Sequence, residues 1–359
     1  MRFLIALAAA AGLIAVAATI STASAERPSA HRGTVWAVER FDGGVNTLSA
    51  FDAATGELLG TMPVGRRPIG VAVPRGTGKV YTADERSNHL TVVSKRSFAE
   101  GEPDVHRIPT GAFPHHLMPS TNGHRLYVGE YGTNKVGVVD TRLDALVAEW
   151  DASANPAAKT HAVWITPRGE LYATNEGAMQ AAIGTLSKLD ADTGELLWEV
   201  PIGSRPSEVL VTPNGHTAYV TVRNENAVKI LDVSGDAPVQ TGAVTIGGMP
   251  DTMQLTHDGT LVVGLRSTPQ LALLDTETLA VRHVTFRGYG ISGHQWLSRD
   301  GRLTYIALEA LTPAFPGAIA VVENATGTVQ ETWPYPAGPW PHGVVYEPET
   351  LRHGGDEES

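Results

Sequence analysis

The chain has 359 residues, no cysteine and a formal net charge of −11. Lack of thiols excludes a disulfide framework and a thiolate metal site. An acidic balance without any basic cluster argues against nucleic acid or an anionic membrane as a partner.

The first element is a leader. Arg2 is its only charge, Phe3–Ile20 is almost wholly Ala, Leu, Ile and Val, and Ala23-Ser24-Ala25 supplies the small-x-small pattern of a cleavage site. Residues 1–25 read as a signal peptide and residues 26–32 as a linker, and losing Arg2 takes the net charge to −12. No later segment approaches the roughly 18 apolar residues that a membrane span needs. A secreted or periplasmic protein without a membrane span after signal removal is expected.

From residue 33 onward one phrase recurs: a Gly/Pro turn, an apolar strand, a Tyr-containing strand, then a strand closing on Asp. Residues 203–233, GSRPSEVLVTPNGHTAYVTVRNENAVKILDV, show it most cleanly. The residue after the Pro, or after the equivalent turn position, falls at Ile69, His115, His161, Ser207, Asp251, His294 and His342, at intervals of 46, 46, 46, 44, 43 and 48. Each unit alternates β-rich runs with turn signals such as Pro213-Asn214-Gly215 and Asp192-Thr193-Gly194. No helical period of useful length is present. Four short strands at this spacing, repeated, specify an all-β, seven-bladed β-propeller with four-stranded blades. Thr34–Val38, Leu48–Asp52 and Leu58–Met62 precede the first turn at Pro68, and Val344–Tyr346 follows the last, at Pro341. The C-terminal strand therefore joins the N-terminal blade and closes the ring over residues 33–348, leaving residues 349–359 as a polar tail.

These strands resemble the YVTN-type seven-bladed propellers, grouped with lactonase-like and cytochrome-d1-like propellers. Ala218-Tyr219-Val220-Thr221 with Val228-Lys229-Ile230-Leu231-Asp232 carries the likeness, as does Leu126-Tyr127-Val128 with Val136-Gly137-Val138-Val139-Asp140. It covers residues 33–348 and implies the fold more than any activity, since such folds host enzymes, electron-transfer subunits and binding proteins.

In a propeller the turn before each innermost strand and the turn after the second strand share one mouth of the central channel. The first column places His115, His161, His294 and His342 there, with His116 one residue on beside His115 and Glu208 one on beside Ser207. Imidazoles from separate blades aimed at one axis suit a metal or a proton-transfer site. The second column gives Glu39, Glu85, Tyr131, Glu176, Arg223, Arg266 and Glu309. Glu85, Glu176 and Glu309 are candidate bases and Tyr131 a proton donor, while Arg223 and Arg266 suit an anionic substrate. Phe113 and Trp340, in turns that deliver His115 and His342, are candidate substrate contacts, with Tyr289 in the turn that delivers His294. The longer loops 177–184 and 311–317, the latter with Phe315, share this mouth. His124, His216 and His257 fall at the opposite mouth as ordinary turn residues.

Five imidazoles suit one transition metal ion (Cu, Fe or Zn) better than Ca or Mg. The His115-His116 pair followed by single histidines is similar to the catalytic copper domain of nitrous oxide reductase and to methanethiol-oxidase-type copper propellers. Ile69, Ser207 and Asp251 depart from that pattern, and no cysteine-bearing copper domain follows. The expected function is a metal-dependent enzyme (oxidoreductase, lyase or lactonase-type hydrolase) acting on a small, anionic organic molecule. The alternative is a non-catalytic binding or scaffold propeller with a protein ligand at the same mouth.

Overall fold

The computed structural model describes residues 32–40, 44–102, 104–179, 182–335, 338–349 and 351. The expected signal peptide, the linker before Arg32 and the tail beyond Leu351 lie outside the described residues.

Seven four-stranded antiparallel sheets form a ring of blades. Blade 1 combines the C-terminal strand Pro341–Glu347, innermost, with Thr34–Glu39, Thr47–Asp52 and Leu58–Pro63. The closure expected from the sequence is present: Trp36 pairs with Val345 on one side and Ala50 on the other. The innermost strands of blades 2 to 7 are Pro68–Ala72, Pro114–Pro119, Lys159–Ile165, Pro206–Val211, Pro250–Leu255 and Tyr289–Leu297. Second and third strands are buried on both faces because each sheet is covered by its neighbours, as in the BBBBB-type runs of Lys79–Asp84 and Arg125–Glu130. The apolar groups form layers between blades, such as Leu90, Ile108, Leu117 and Leu126 between blades 2 and 3. Each fully buried aliphatic side chain of this kind contributes about 1.5–3 kcal/mol.

Two local features depart from the expected pattern. A short helix, Lys95–Ala99, interrupts blade 2 where no helix was expected; the Ser94 hydroxyl accepts from the Ser97 amide at its start. Its purpose is packing, because Phe98 meets Trp36 edge-on at 5.0 Å between ring centroids. The start of the polar tail is also docked: Glu349 pairs with Lys95, and Leu351 packs on the core between blades 1 and 2. Among the described residues no helix is long and apolar enough to cross a membrane.

Candidate active site at the channel mouth

The repeated Pro turns build the mouth. Arg67, Phe113, Arg205 and Met249 each precede the Pro that starts an innermost strand, and all four have φ between 53° and 56°. Their carbonyls accept the amides of Glu85, Tyr131, Arg223 and Arg266 at 2.9–3.1 Å. The turn before one strand therefore fixes the residue that ends the next strand of the same blade, which brings the two sequence columns to one level. Asn46, Asn88 and Asn226 accept the amides of Arg67, Phe113 and Met249 and hold the turns.

Just past each turn the ladder carries a β-bulge. His115 and His116 together oppose Gly129, Ser207 and Glu208 oppose Thr221, and Asp251 and Thr252 oppose Gly264. The extra residue is freed from pairing and aimed at the axis. Neighbouring strands converge here: a Cβ on Gly343 would lie 2.4 Å from the Ile69 carbonyl oxygen, so only glycine fits.

The bulges sort the axial residues into two tiers. Ile69, His115, His161, Asp251 and His342 line an upper cavity of about 260 Å³ at the mouth, together with Tyr131, Arg223 and Arg266. His116, Glu208 and Thr252 instead line a deeper chamber of about 30 Å³, shared with His294. In blade 7 the first bulge position is Gly293 and His294 is the second. No proline marks that turn, so aligning His294 with His115 placed it one residue too high. His294 still meets His342 at 4.5 Å and His115 at 6.5 Å between ring centroids, and His115 meets His161 at 4.4 Å.

Polar partners define what each upper-tier group can do. His161 donates from Nδ1 to the Ser207 carbonyl at 2.9 Å, and its Nε2 accepts from Arg223 Nη2 at 2.9 Å. Arg223 also donates to Glu176 Oε1 at 3.2 Å and to Asp251 Oδ1. Tyr131 donates to Glu176 Oε2 at 2.9 Å. A second cluster mirrors the first: Glu309 Oε1 accepts from Arg40 Nη2 at 2.6 Å and Arg266 Nη1 at 3.3 Å, with His342 Nδ1 at 3.3 Å. Glu85 pairs with Arg67 at 2.9 Å. The buried atoms without a hydrogen-bond partner include His115 Nδ1 and Arg223 Nε in these clusters and His294 Nε2 one tier below.

Burial and neighbouring charge keep the imidazoles neutral. His115, His161 and His342 are held well below the usual value, first by burial and then by neighbours including Arg223 and Arg266. His294 is lowered to about 3 and His116 to about 4, again chiefly by burial. Burial opposes ionisation of Asp251, yet Arg223 and Arg266 hold it well below the usual carboxylate range. Burial and then the Glu176 charge push Tyr131 up to about 12. Below, His116 Nε2 faces Glu208 Oε1 at 3.3 Å, and burial raises that carboxyl.

Of the expected site residues, the structure brings together His115, His161, His342, Glu85, Tyr131, Glu176, Arg223, Arg266 and Glu309. His116 and His294 sit a tier below. Phe113 and Trp340 do not line the cavity: Phe113 is 44% exposed on its turn, and the Trp340 amide is bound by Glu39. His124, His216 and His257 are exposed turn residues, as expected. Arg40, Arg67 and Arg205 went unread, although two of them precede the turn prolines, a repeated position visible in the sequence. The imidazoles do not close into a ligand cage. Among the described residues no group of three or more His, Asp or Glu side chains is placed to hold a metal ion.

No protein-family model matches the chain. The uncharacterized protein YncE of Salmonella typhi is 25% identical over 187 residues, 51% of this chain and 50% of that protein. The chain thus spans about half the length of the curated relatives it matches. The periplasmic gluconolactonase PpgL of Pseudomonas aeruginosa superposes with a TM-score of 0.66 at 16% identity, over 88% of this chain and 98% of that one. The dihydro-heme d1 dehydrogenase NirN superposes at 0.59 and 16% identity, over 89% and 76%. The structural neighbours are therefore lactonase-like and cytochrome-d1-like propellers. At these identities the likeness shows the fold.

Proposed function

We propose that the protein is an extracytoplasmic propeller enzyme that acts on a small organic molecule at the upper tier and holds its anionic form between Arg223 and Arg266. The observation that carries this reading is His115 Nδ1, a buried ring nitrogen without a hydrogen-bond partner, on a side chain that lines one cavity with the guanidiniums of Arg223 and Arg266. A neutral imidazole with a free lone pair is a general base, and a fixed guanidinium stabilises an oxyanion.

Lactone hydrolysis fits this set, and the similarity to a gluconolactonase supports it. His115 takes a proton from a water molecule as that water adds to the lactone carbonyl. Arg223 and Arg266 neutralise the charge that develops on the carbonyl oxygen. When the ring C–O bond breaks, the leaving oxygen takes the proton back from His115, and the product hydroxy acid ionises to a carboxylate. Asp251 and Glu176 hold Arg223 in place, and Tyr131 holds Glu176.

The test is proton release, followed at constant pH, with a panel of small lactones. His115→Ala and Arg223→Met should each lower turnover at least 100-fold. Saturable binding of hydroxy acids without turnover of any lactone would instead support the non-catalytic binding propeller.

A transition metal ion (Cu, Fe or Zn) is the second reading, favoured by the unpartnered nitrogens His115 Nδ1 and His294 Nε2. The present arrangement does not fit it, because Arg223 occupies His161 Nε2 and two guanidiniums face the same space. Elemental analysis of wild type beside His115→Ala/His294→Ala decides: about one metal per chain, lost in the variant, would replace the metal-free reading.

A further inference from the structure

The rim of the mouth carries exposed apolar side chains among its polar ones. Val45, Phe113, Met179, Leu311 and Phe315 stand on mouth-face loops and Ile183 at the mouth end of its strand, and five of these six are 60–74% exposed. Met179 and Ile183 follow Glu176, Leu311 and Phe315 follow Glu309, and Phe113 precedes His115 by two residues. Scattered exposed apolar residues are ordinary, but a set bordering a polar cavity marks a binding surface.

Charge says what the centre accepts. Arg40, Arg67, Arg205, Arg223 and Arg266 line the cavity. Against their five formal positive charges stand Glu85, Asp251, Glu176 and Glu309, each paired to one or more of them. With Glu39, beside Arg40, protonated below about pH 7, the difference is one positive charge. His161 adds none, because it donates at one ring nitrogen and accepts at the other. A singly charged anion neutralises the centre, whereas a phosphate dianion would leave an uncompensated negative charge in a partly buried site.

We propose that the mouth takes an amphipathic monocarboxylate, its head among the arginines and its apolar body on the stretch of rim formed by Phe113, Met179 and Ile183 of the adjacent blades 3 and 4. This rests on the reading of the mouth as a site for an organic anion and names its substrate or product class.

Calorimetric titration of the full chain with acetate, octanoate, octyl phosphate and octanol tests it. Octanoate should bind at least tenfold more tightly than acetate, with about a fourfold gain for each methylene that reaches the rim. In Met179→Ser/Ile183→Ser, octanoate affinity should fall toward that of acetate. Equal affinities of acetate and octanoate would overturn the inference while leaving the anion site standing. Octanol or octyl phosphate binding as tightly as octanoate would overturn the monocarboxylate assignment. If no anion binds, the proposed function fails with it.

Discussion

Arg223 organises the upper tier. Its guanidinium holds Glu176, Asp251 and His161 at once while only 7% exposed. Removing one partner of a buried ion pair leaves the others desolvated and uncompensated. Arg223→Met should therefore destabilise the fold by about 3–5 kcal/mol in urea unfolding, and a loss under about 1 kcal/mol would show that the cluster is solvated. Glu39 makes a separate, pH-dependent contribution. Burial raises its carboxyl to about 7, against the lowering effect of the Trp340 amide. The folded chain therefore holds this proton more tightly than the unfolded chain. The associated stability is complete below about pH 4.5 and is lost as the pH rises through about 7. Wild type should lose about 1–3 kcal/mol more than Glu39→Gln between pH 5 and pH 8; parallel profiles would contradict this. At this scale the sequence was legible where residue type and turn position agree, as for His115, His161 and His342. The guanidinium–carboxylate pairing was not legible, because Arg40 meets Glu309 across 269 positions.

The bulge decides which side chain reaches the axis and at what depth. Alternation along a strand is readable in a sequence, but an inserted residue shifts every side chain beyond it to the other face. That is why His116 and Glu208, adjacent to axial residues, face a separate chamber. It is also why His294 dropped a tier in blade 7, whose turn carries no proline to mark the register. Glycine marks the convergence of innermost strands. Gly343→Ala, with its Cβ 2.4 Å from the Ile69 carbonyl oxygen, should lower stability by about 1–3 kcal/mol and disturb His342. An unchanged melting temperature would mean that the strands separate without cost. The helix Lys95–Ala99 escaped notice for a simpler reason: five residues are too few to show a helical period.

At the scale of the molecule, repetition made the ring readable. Seven Gly/Pro turns at near-constant spacing gave blade number, strand number and the shared blade 1. Chemistry broke that repetition at the mouth, and there the tiers had to be seen in three dimensions. The closure carries its own prediction. Truncation after Trp340 removes the partner of Thr34–Glu39 and the Glu347 that pairs with Lys95, exposing a long apolar edge. The truncated chain should unfold without a cooperative transition and aggregate, as followed by circular dichroism and light scattering.

The central claim is that an organic anion is held in the upper tier by Arg223 and Arg266. A crystal soaked in 4-bromobenzoate and measured at the bromine edge tests this directly. The account predicts an anomalous peak in the mouth cavity, with the carboxylate within hydrogen-bond reach of both guanidiniums and the peak lost in Arg223→Met. Bromine only at the opposite face, or a mouth peak indifferent to Arg223, would contradict it.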